Sequence, residues 1–281
     1  MTTIRQALAL GRTRLAQSPS PELDARLLLA HVLDRPHSYL IAHAEETLPD
    51  AAETAYLALL ARAERQEPIP YLIGEAPFYG LDFVVTPAVL IPRPETEMLL
   101  DYILRRAADR GPRLIVDVGT GSGCLAVTLA HRLPDAEVIA IDVSAEALVV
   151  AMQNGERHAP GRVRFLEGNL LDPVGGGIDI IVTNLPYIAD DEWTSVSDGV
   201  KWYEPVGALR GGPDGLDHFR ALIPAAAQKL KPGGSLLMEI GWRQGEAVRR
   251  LARSSFPRAE ITILPDFAGH DRVVAVEALR V

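Results

Sequence analysis

The chain has 281 residues, 48% of them hydrophobic and 23% charged, the composition of a soluble globular chain with material for one large domain or two. Its net charge is −9, with seven basic against eleven acidic residues up to Val85 and 21 against 26 beyond, so general clamping of a nucleic-acid backbone is disfavoured as the main source of affinity. A single cysteine, Cys124, excludes an intramolecular disulfide and fits a reducing compartment. The seven histidines form neither an H-E-x-x-H pair nor a cluster with cysteine, so no metal site is expected.

The opening segment "MTTIRQALALGRTRLAQ" carries Arg5, Arg12 and Arg14 and no acid before Glu22. It lacks a secretory apolar core and reads as a first helix. Ser20 can cap a second helix with Pro21 at its first position, and Leu23, Leu27 and Leu28 repeat on one face. A further helix over 50–66 places Ala55, Leu59 and Ala63 four apart, with Leu60 beside them. Residues 1–67 therefore read as a helical domain. Over 68–86, Leu81, Phe83 and Val85 alternate beside a Tyr79-Gly80 turn, which predicts a β-hairpin linker. Pro87, Pro92 and Pro94 then punctuate a connector before a helix at 95–108.

From 87 to 281 short β-rich runs at 113–118, 136–142, 162–167, 178–184 and 234–241 alternate with helical patterns at 122–132, 144–158 and 214–230. That alternation predicts a doubly wound, Rossmann-like α/β sheet. Two runs at 260–265 and 272–279 with no helix between them add a terminal antiparallel hairpin. No apolar stretch approaches the ~20 residues of a membrane span, so no membrane association is expected. The location expected is the cytoplasm, or an organellar matrix in a eukaryote.

"VDVGTGSGC" follows the first of these strands and opens a helix. Gly119 and Gly121 permit a tight turn and close backbone approach to a ligand, with Thr120 between them, while Gly123 lets the helix pack on the sheet. Asp142 ends the next strand, where a carboxylate can accept both hydroxyls of a ribose. Asp117 at the tip of the first strand can orient a ligand amine or a bound water. No Walker lysine follows, which leaves little support for nucleotide hydrolysis. The combination resembles class I methyltransferases that use S-adenosylmethionine. The resemblance implies that Asn169, beside Leu170, contacts the adenine where an aspartate is more usual. Cys124 reads as a packing residue.

After the fourth strand comes Asn184-Leu185-Pro186-Tyr187, at the carboxyl end of a central strand and so over the ligand crevice. An amide or aromatic amino nitrogen is a poor nucleophile because its lone pair is delocalised. Accepting both of its N–H bonds orients the nitrogen and raises its electron density. The Asn184 side-chain oxygen and the backbone carbonyl of Leu185 can supply those acceptors, and Tyr187 can pack against the planar group. This resembles the N-P-P-Y signature of nitrogen methyltransferases, with Leu185 in place of proline. The carbonyl survives that change; the proline restriction on φ does not.

"PIPYLIGEAPFYGLDFVVTPAVLIPRPETE" (68–97), with "DVGTGSG", "NLPYI", "YEPVGALRGGPDGL", "LKPGGSLLMEIGWRQGEAV" and "GHDRVV", closely resembles the release-factor glutamine methyltransferases of the PrmC/HemK type. The resemblance covers nearly the whole chain beyond residue 20. It implies transfer of a methyl group from S-adenosyl-L-methionine, leaving S-adenosyl-L-homocysteine, to the side-chain amide nitrogen (N5) of the glutamine in the Gly-Gly-Gln loop of class I peptide chain release factors. No direct nucleic-acid requirement is implied. In "IPRPETE" two prolines stiffen an arm over the cofactor mouth; Pro92, Arg93 and Thr96 are expected to line it, with Glu97 bonded to loop backbone. Arg93 and Glu97 can alternatively form a solvated pair. Glu204 and Pro205 are candidates for scaffolding the substrate-side wall. The rival readings are adenine-N6 methylation of rRNA or DNA and an inactive module that binds a translation factor.

Overall fold

The computed structural model describes residues 2–107, 111 and 113–279. They fall into two compact units, one built from the chain up to Glu75 together with Ser197–Tyr203, the other from Ala76–Val196 together with the chain from Glu204 onward.

In the first unit, α1 (Ile4–Arg14) opens on a capping box. The Thr3 hydroxyl accepts from Gln6 N at 3.2 Å and Gln6 Oε1 accepts from Thr3 N at 3.0 Å, so amides of the first turn are satisfied reciprocally. Then come α2 (Pro21–Leu33), α3 (His37–Ala42), α4 (Asp50–Ala63) and α5 (Ile69–Ile73). Ile4, Ala7, Leu28, Leu29, Tyr56 and Leu60 are among the residues of their shared core. Gly11 permits the close helix approach, since a Cβ there would stand 2.0 Å from Tyr56 Oη and 2.8 Å from Ala25 Cβ. Three local expectations shift. Ser20 sits at the N-cap of α2 without making a side-chain capping bond. The buried face of α2 is Ala25, Leu28 and Leu29, with Leu23 44% exposed. In α4 it is Tyr56 and Leu60, with Ala55 exposed. Apolar residues are spread too evenly around both helices for periodicity to fix the face, and the bulk of Tyr56 decides it in α4.

The second unit begins with the hairpin strands β1 (Glu75–Phe78) and β2 (Leu81–Val84). Tyr79 and Gly80, at φ 50° and 80°, supply the two left-handed residues that a two-residue turn matched to strand twist requires. A 3-10 turn (Pro94–Thr96) leads into α6 (Glu97–Ala107); the expected helix end at residue 108 lies outside the described residues. The alternating elements follow: β3 (Leu114–Val118), α7 (Cys124–Arg132), β4 (Glu137–Asp142), α8 (Ala145–His158), β5 (Val163–Glu167) and β6 (Ile178–Thr183). After α9 (Asp198–Tyr203), which belongs to the first unit, come α10 (Asp217–Lys229), β7 (Leu230–Glu239), α11 (Gly245–Ser255), β8 (Glu260–Pro265) and β9 (Asp271–Glu277).

Seven strands form one sheet in the order β5-β4-β3-β6-β7-β9-β8. The first five are parallel, and β9 runs antiparallel to both β7 and β8. This is the doubly wound sheet with its terminal hairpin. Strand β7 starts at Leu230, earlier than the apolar run that marks it, because Leu230 pairs with Ile178 before a register break that resumes at Ile180 and Ser235. Successive strand residues point to opposite faces. Ile115, Val138 and Ala140 pack with Leu99, Ile103 and Leu129 on one side. Val116, Ile139 and Ile141 pack with Phe219, Leu222 and Val248 on the other. A strand buried on both faces reads as a near-continuous apolar run, and that explains "LIVDV", with Asp117 its one polar residue.

From β3 the chain winds to β4 and β5 on one side and then to β6 and β7 on the other. The loops leaving β3 and β6 therefore diverge over the carboxyl ends of two paired strands. Val118 lies opposite Thr183 in that pair, which sets Gly119 and Asn184 side by side.

Candidate active site

A cavity of about 320 Å³ lies at this divergence, of a size that accepts a cofactor or small ligand. Its floor is the glycine loop. Gly119 N and Thr120 N both donate to Ile141 O at 2.9 Å, which ties the loop to the end of β4. Gly119, Gly121 and Gly123 have φ of 72°, 55° and 80°, backbone that residues with a Cβ rarely adopt. Gly119, Thr120 and Gly121 line the cavity; Gly123 does not. A Cβ on Gly123 would stand 3.2 Å from Ala151 Cβ, so this glycine serves the approach of α7 to α8 and not contact with the sheet or a ligand.

Asp142 lines the cavity and also fixes its rim: Oδ2 accepts from Gly121 N at 2.8 Å and Oδ1 from Ser144 N at 2.9 Å. Each oxygen keeps a second lone pair for a ligand. Asp117 is placed differently from the expectation. It is 1% exposed and is not among the lining residues. Its Oδ2 accepts from Thr120 Oγ1 at 2.7 Å and Ala126 N at 3.2 Å, while Oδ1 has no hydrogen-bond partner among the described residues. Burial pushes its pKa up to about 7. Asn169 and Leu170 lie along the cavity, with Leu170 held at φ 48°. Cys124 also lines it, but burial pushes its thiol up to about 12, so it is not a nucleophile at neutral pH.

The "IPRPETE" arm contributes Pro92, Arg93 and Thr96 to the lining. Arg93 pairs with Glu204, not Glu97. Glu204 is 4% exposed and also accepts from Ile91 N at 3.1 Å. It braces the arm from beneath and does not line the cavity, whereas its neighbour Pro205 does. Glu97 accepts from Tyr79 N at 2.7 Å, so the loop backbone it bonds is the hairpin turn.

Asn184, Leu185 and Pro186 form the wall opposite. Asn184 Nδ2 donates to Thr96 Oγ1 at 3.1 Å. Neither Asn184 Oδ1 nor the Leu185 carbonyl receives a hydrogen bond from any described residue. The Leu185 side chain is buried, with Cδ2 3.0 Å from where a Cβ on Gly119 would stand. Without a proline at 185 the loop is held from outside. Ile188 N donates to Leu209 O and Gly211 N to Ile188 O, each at 2.9 Å, and Gln244 Nε2 donates to Tyr187 O at 2.8 Å. Tyr187 is not among the lining residues; its hydroxyl turns to Glu239 Oε1 at 3.4 Å. The ring expected as a cover over the acceptor thus lies outside the cavity lining.

Three features were missed at the level of sequence. Val143, directly after Asp142, is 73% exposed and lines the cavity; an apolar residue at that point was a visible signal. His218 also lines it and carries no motif. Glu239 stands 1% exposed behind Thr96, whose hydroxyl donates to its Oε2 at 2.6 Å. An acid ending the apolar run "GSLLME" was the available clue.

Comparison with known proteins gives two family matches: the PrmC N-terminal domain over residues 6–74 and the methyltransferase small domain over 94–198. The release factor glutamine methyltransferase of Moorella thermoacetica is 43% identical over 274 residues, 96% of this chain and 96% of that protein. The Bacillus subtilis protein of the same name is 37% identical over 281 residues, 98% and 97% of the two chains. Among solved structures, the T. thermophilus 16S rRNA N2 G1207 methyltransferase in complex with AdoMet and guanosine aligns with a TM-score of 0.53 at 21% identity, over 73% of this chain and 49% of that one. That last likeness is one of fold.

Proposed function

The chain belongs to the release factor glutamine methyltransferase family, and from that premise we propose that it transfers a methyl group from S-adenosylmethionine to the side-chain nitrogen of the glutamine in the Gly-Gly-Gln loop of class I peptide chain release factors. The observation that carries this reading is the pair of unengaged acceptors, Asn184 Oδ1 and the Leu185 carbonyl, beside a glycine-floored cavity. A primary amide has two N–H donors, and the pair matches them.

The lining residues fit the cofactor. The Asp142 carboxylate has lone pairs left for two ribose hydroxyls, Val143 and Leu170 offer apolar faces to a purine, and Gly121, with open space where a Cβ would be, lets backbone approach closely. Asp117, with an unpaired oxygen under the loop, serves to hold Thr120 and the first turn of α7. When bound, S-adenosylmethionine supplies an electrophilic methyl group on a sulfonium sulfur, and S-adenosylhomocysteine is left after transfer.

Asn184 and Leu185 accept the two amide N–H bonds, offsetting the cost of burying the amide. They also hold its nitrogen in line with the methyl group, where orientation removes much of the barrier. As the new N–C bond forms, the nitrogen becomes acidic and loses a proton to water or to one of these acceptors. No covalent enzyme intermediate is needed. Pro205, with Pro186, borders the acceptor end of the cavity, and Tyr187 supports the loop from behind. The helical unit, bounded at residue 67 by sequence, extends through α5 to Glu75 and takes in Ser197–Tyr203, so the expected linker over 68–86 is divided between the two units; this unit serves recognition of the release factor's body and the other carries the catalysis. Among the described residues no helix is long and apolar enough to cross a membrane.

The reading is tested by incubating the purified protein with methyl-labelled cofactor and either a class I release factor or RNA. Label in the release factor supports it. Label in RNA with an unlabelled release factor would replace it with adenine methylation.

A further inference from the structure

Glu239 ends β7 at the foot of the catalytic loop, 1% exposed. It accepts from Thr96 Oγ1 at 2.6 Å, and Thr96 Oγ1 accepts in turn from Asn184 Nδ2 at 3.1 Å. A hydroxyl has one proton to give. Once Thr96 gives it to the carboxylate, only lone pairs remain toward Asn184, so the carboxamide must turn its NH2 to Thr96. The amide is planar, and its oxygen then points to the other side. Resting on the glutamine-acceptor reading above, we propose that Glu239 is a positioning residue: through Thr96 it sets which way round the Asn184 carboxamide stands, so that Oδ1 is offered to the N–H of the acceptor. The reverse orientation would set one NH2 against another and lose the hydrogen bond.

The choice of an acid at this site has a physical reason. A carboxylate is costly to bury, and a glutamine would fill the same space. Only the ionised acid is an acceptor at both oxygens and cannot drive the Thr96 proton back toward Asn184. A glutamine can donate to Thr96, free the threonine proton for Asn184, and stabilise the reversed amide. Protonation of Glu239 has the same consequence. The groups facing this carboxyl are Arg272 on β9, which favours its charge, Glu95 on the arm, which opposes it, and Tyr187 on the catalytic loop. Cys124 on α7 lies within its field. Burial outweighs Thr96 and Arg272 and lifts the pKa to about 7, so the relay is complete on the alkaline side of neutrality.

The test is steady-state methylation of a purified class I release factor by wild-type, Glu239→Gln, Thr96→Val and Thr96→Ser proteins, with cofactor affinity measured alongside by calorimetry. Glu239→Gln and Thr96→Val are expected to lower kcat by about 10- to 100-fold, the scale of a misplaced reacting group, with cofactor Kd close to wild type. Thr96→Ser, which keeps the hydroxyl, retains turnover. The acid limb of the wild-type kcat profile near pH 7 disappears in Glu239→Gln. Wild-type turnover in Glu239→Gln, or equal losses in the serine and valine variants, overturns the inference and leaves the substrate assignment standing. Absence of transfer to the release factor by the wild-type protein overturns both. Should Glu239→Gln fail to fold, the two threonine variants decide by the same criteria.

Discussion

In the proposed reaction Asn184 recognises the amide with a single oxygen, and removing that oxygen separates this role from every structural one. Asn184→Ala is expected to reduce kcat by about 10²–10³, as for loss of one preorganised polar contact in a buried site. Cofactor affinity should stay near the wild-type value; equal weakening of affinity and turnover would show that the side chain binds cofactor instead. Asp142→Ala should act the other way, raising the cofactor Kd first, because it removes ligand acceptors and releases the Gly121 and Ser144 amides. An unchanged Kd by calorimetry would contradict the ribose contact. The buried acids make a third prediction. Asp117 and Glu239 are both lifted to about 7 by burial. An acid whose folded pKa is raised favours the folded state below its unfolded pKa, and that contribution is lost as pH climbs to the folded value. The melting temperature of the cofactor-free protein should therefore fall between about pH 4 and pH 7, and Asp117→Asn should flatten the fall. A curve flat across that window in the wild type would show these carboxyls to be ionised throughout. Asn184 and Asp142 were legible in the sequence because each ends a strand in a short motif. The partner of Thr96 was not, because 143 residues separate Thr96 from Glu239 and only the sheet brings them together.

The elements show how a local signal is outvoted by packing. Strands such as Leu114–Val118 could be read directly, since both of their faces are buried and Asp117 is the one interruption of the apolar run. The faces of α2 and α4 could not, because alanine and leucine surround both helices and the neighbouring helices choose which side to cover. The proline-rich arm was legible as a stiff connector, but its anchor was not. Arg93 was expected near the cavity, and the acid that holds it, Glu204, lies 111 residues away. This brace makes a prediction at the scale of the element. Glu204→Ala leaves the buried Ile91 N–H without its acceptor, at a cost of about 1–3 kcal/mol, and releases the partly exposed Arg93 guanidinium to solvent. Hydrogen exchange over residues 87–96 should accelerate and cofactor affinity should fall several-fold. Exchange rates identical to wild type would show that the arm is held by its prolines alone.

For the molecule as a whole, the alternation of strand and helix patterns was enough to foresee a doubly wound sheet and the antiparallel pair that closes it. A crossover between parallel strands has few stable solutions. The inclusion of Asp198–Tyr203 in the helical unit was not foreseeable, as a helix of six residues carries no periodicity to read. The gain from the fold is convergence. Loops from β3 and β6, the arm before α6 and the acid at the end of β7 meet at one switch point, where the proposed methyl-donor site and the proposed amide acceptors lie side by side. The measurement that bears on this most directly is mass spectrometry of the Gly-Gly-Gln peptide, after a class I release factor has been incubated with the purified protein and methyl-labelled cofactor. One labelled methyl group on the glutamine side-chain nitrogen, absent with Asn184→Ala, is the result predicted; an unmodified glutamine with the label on another residue or on RNA would contradict it.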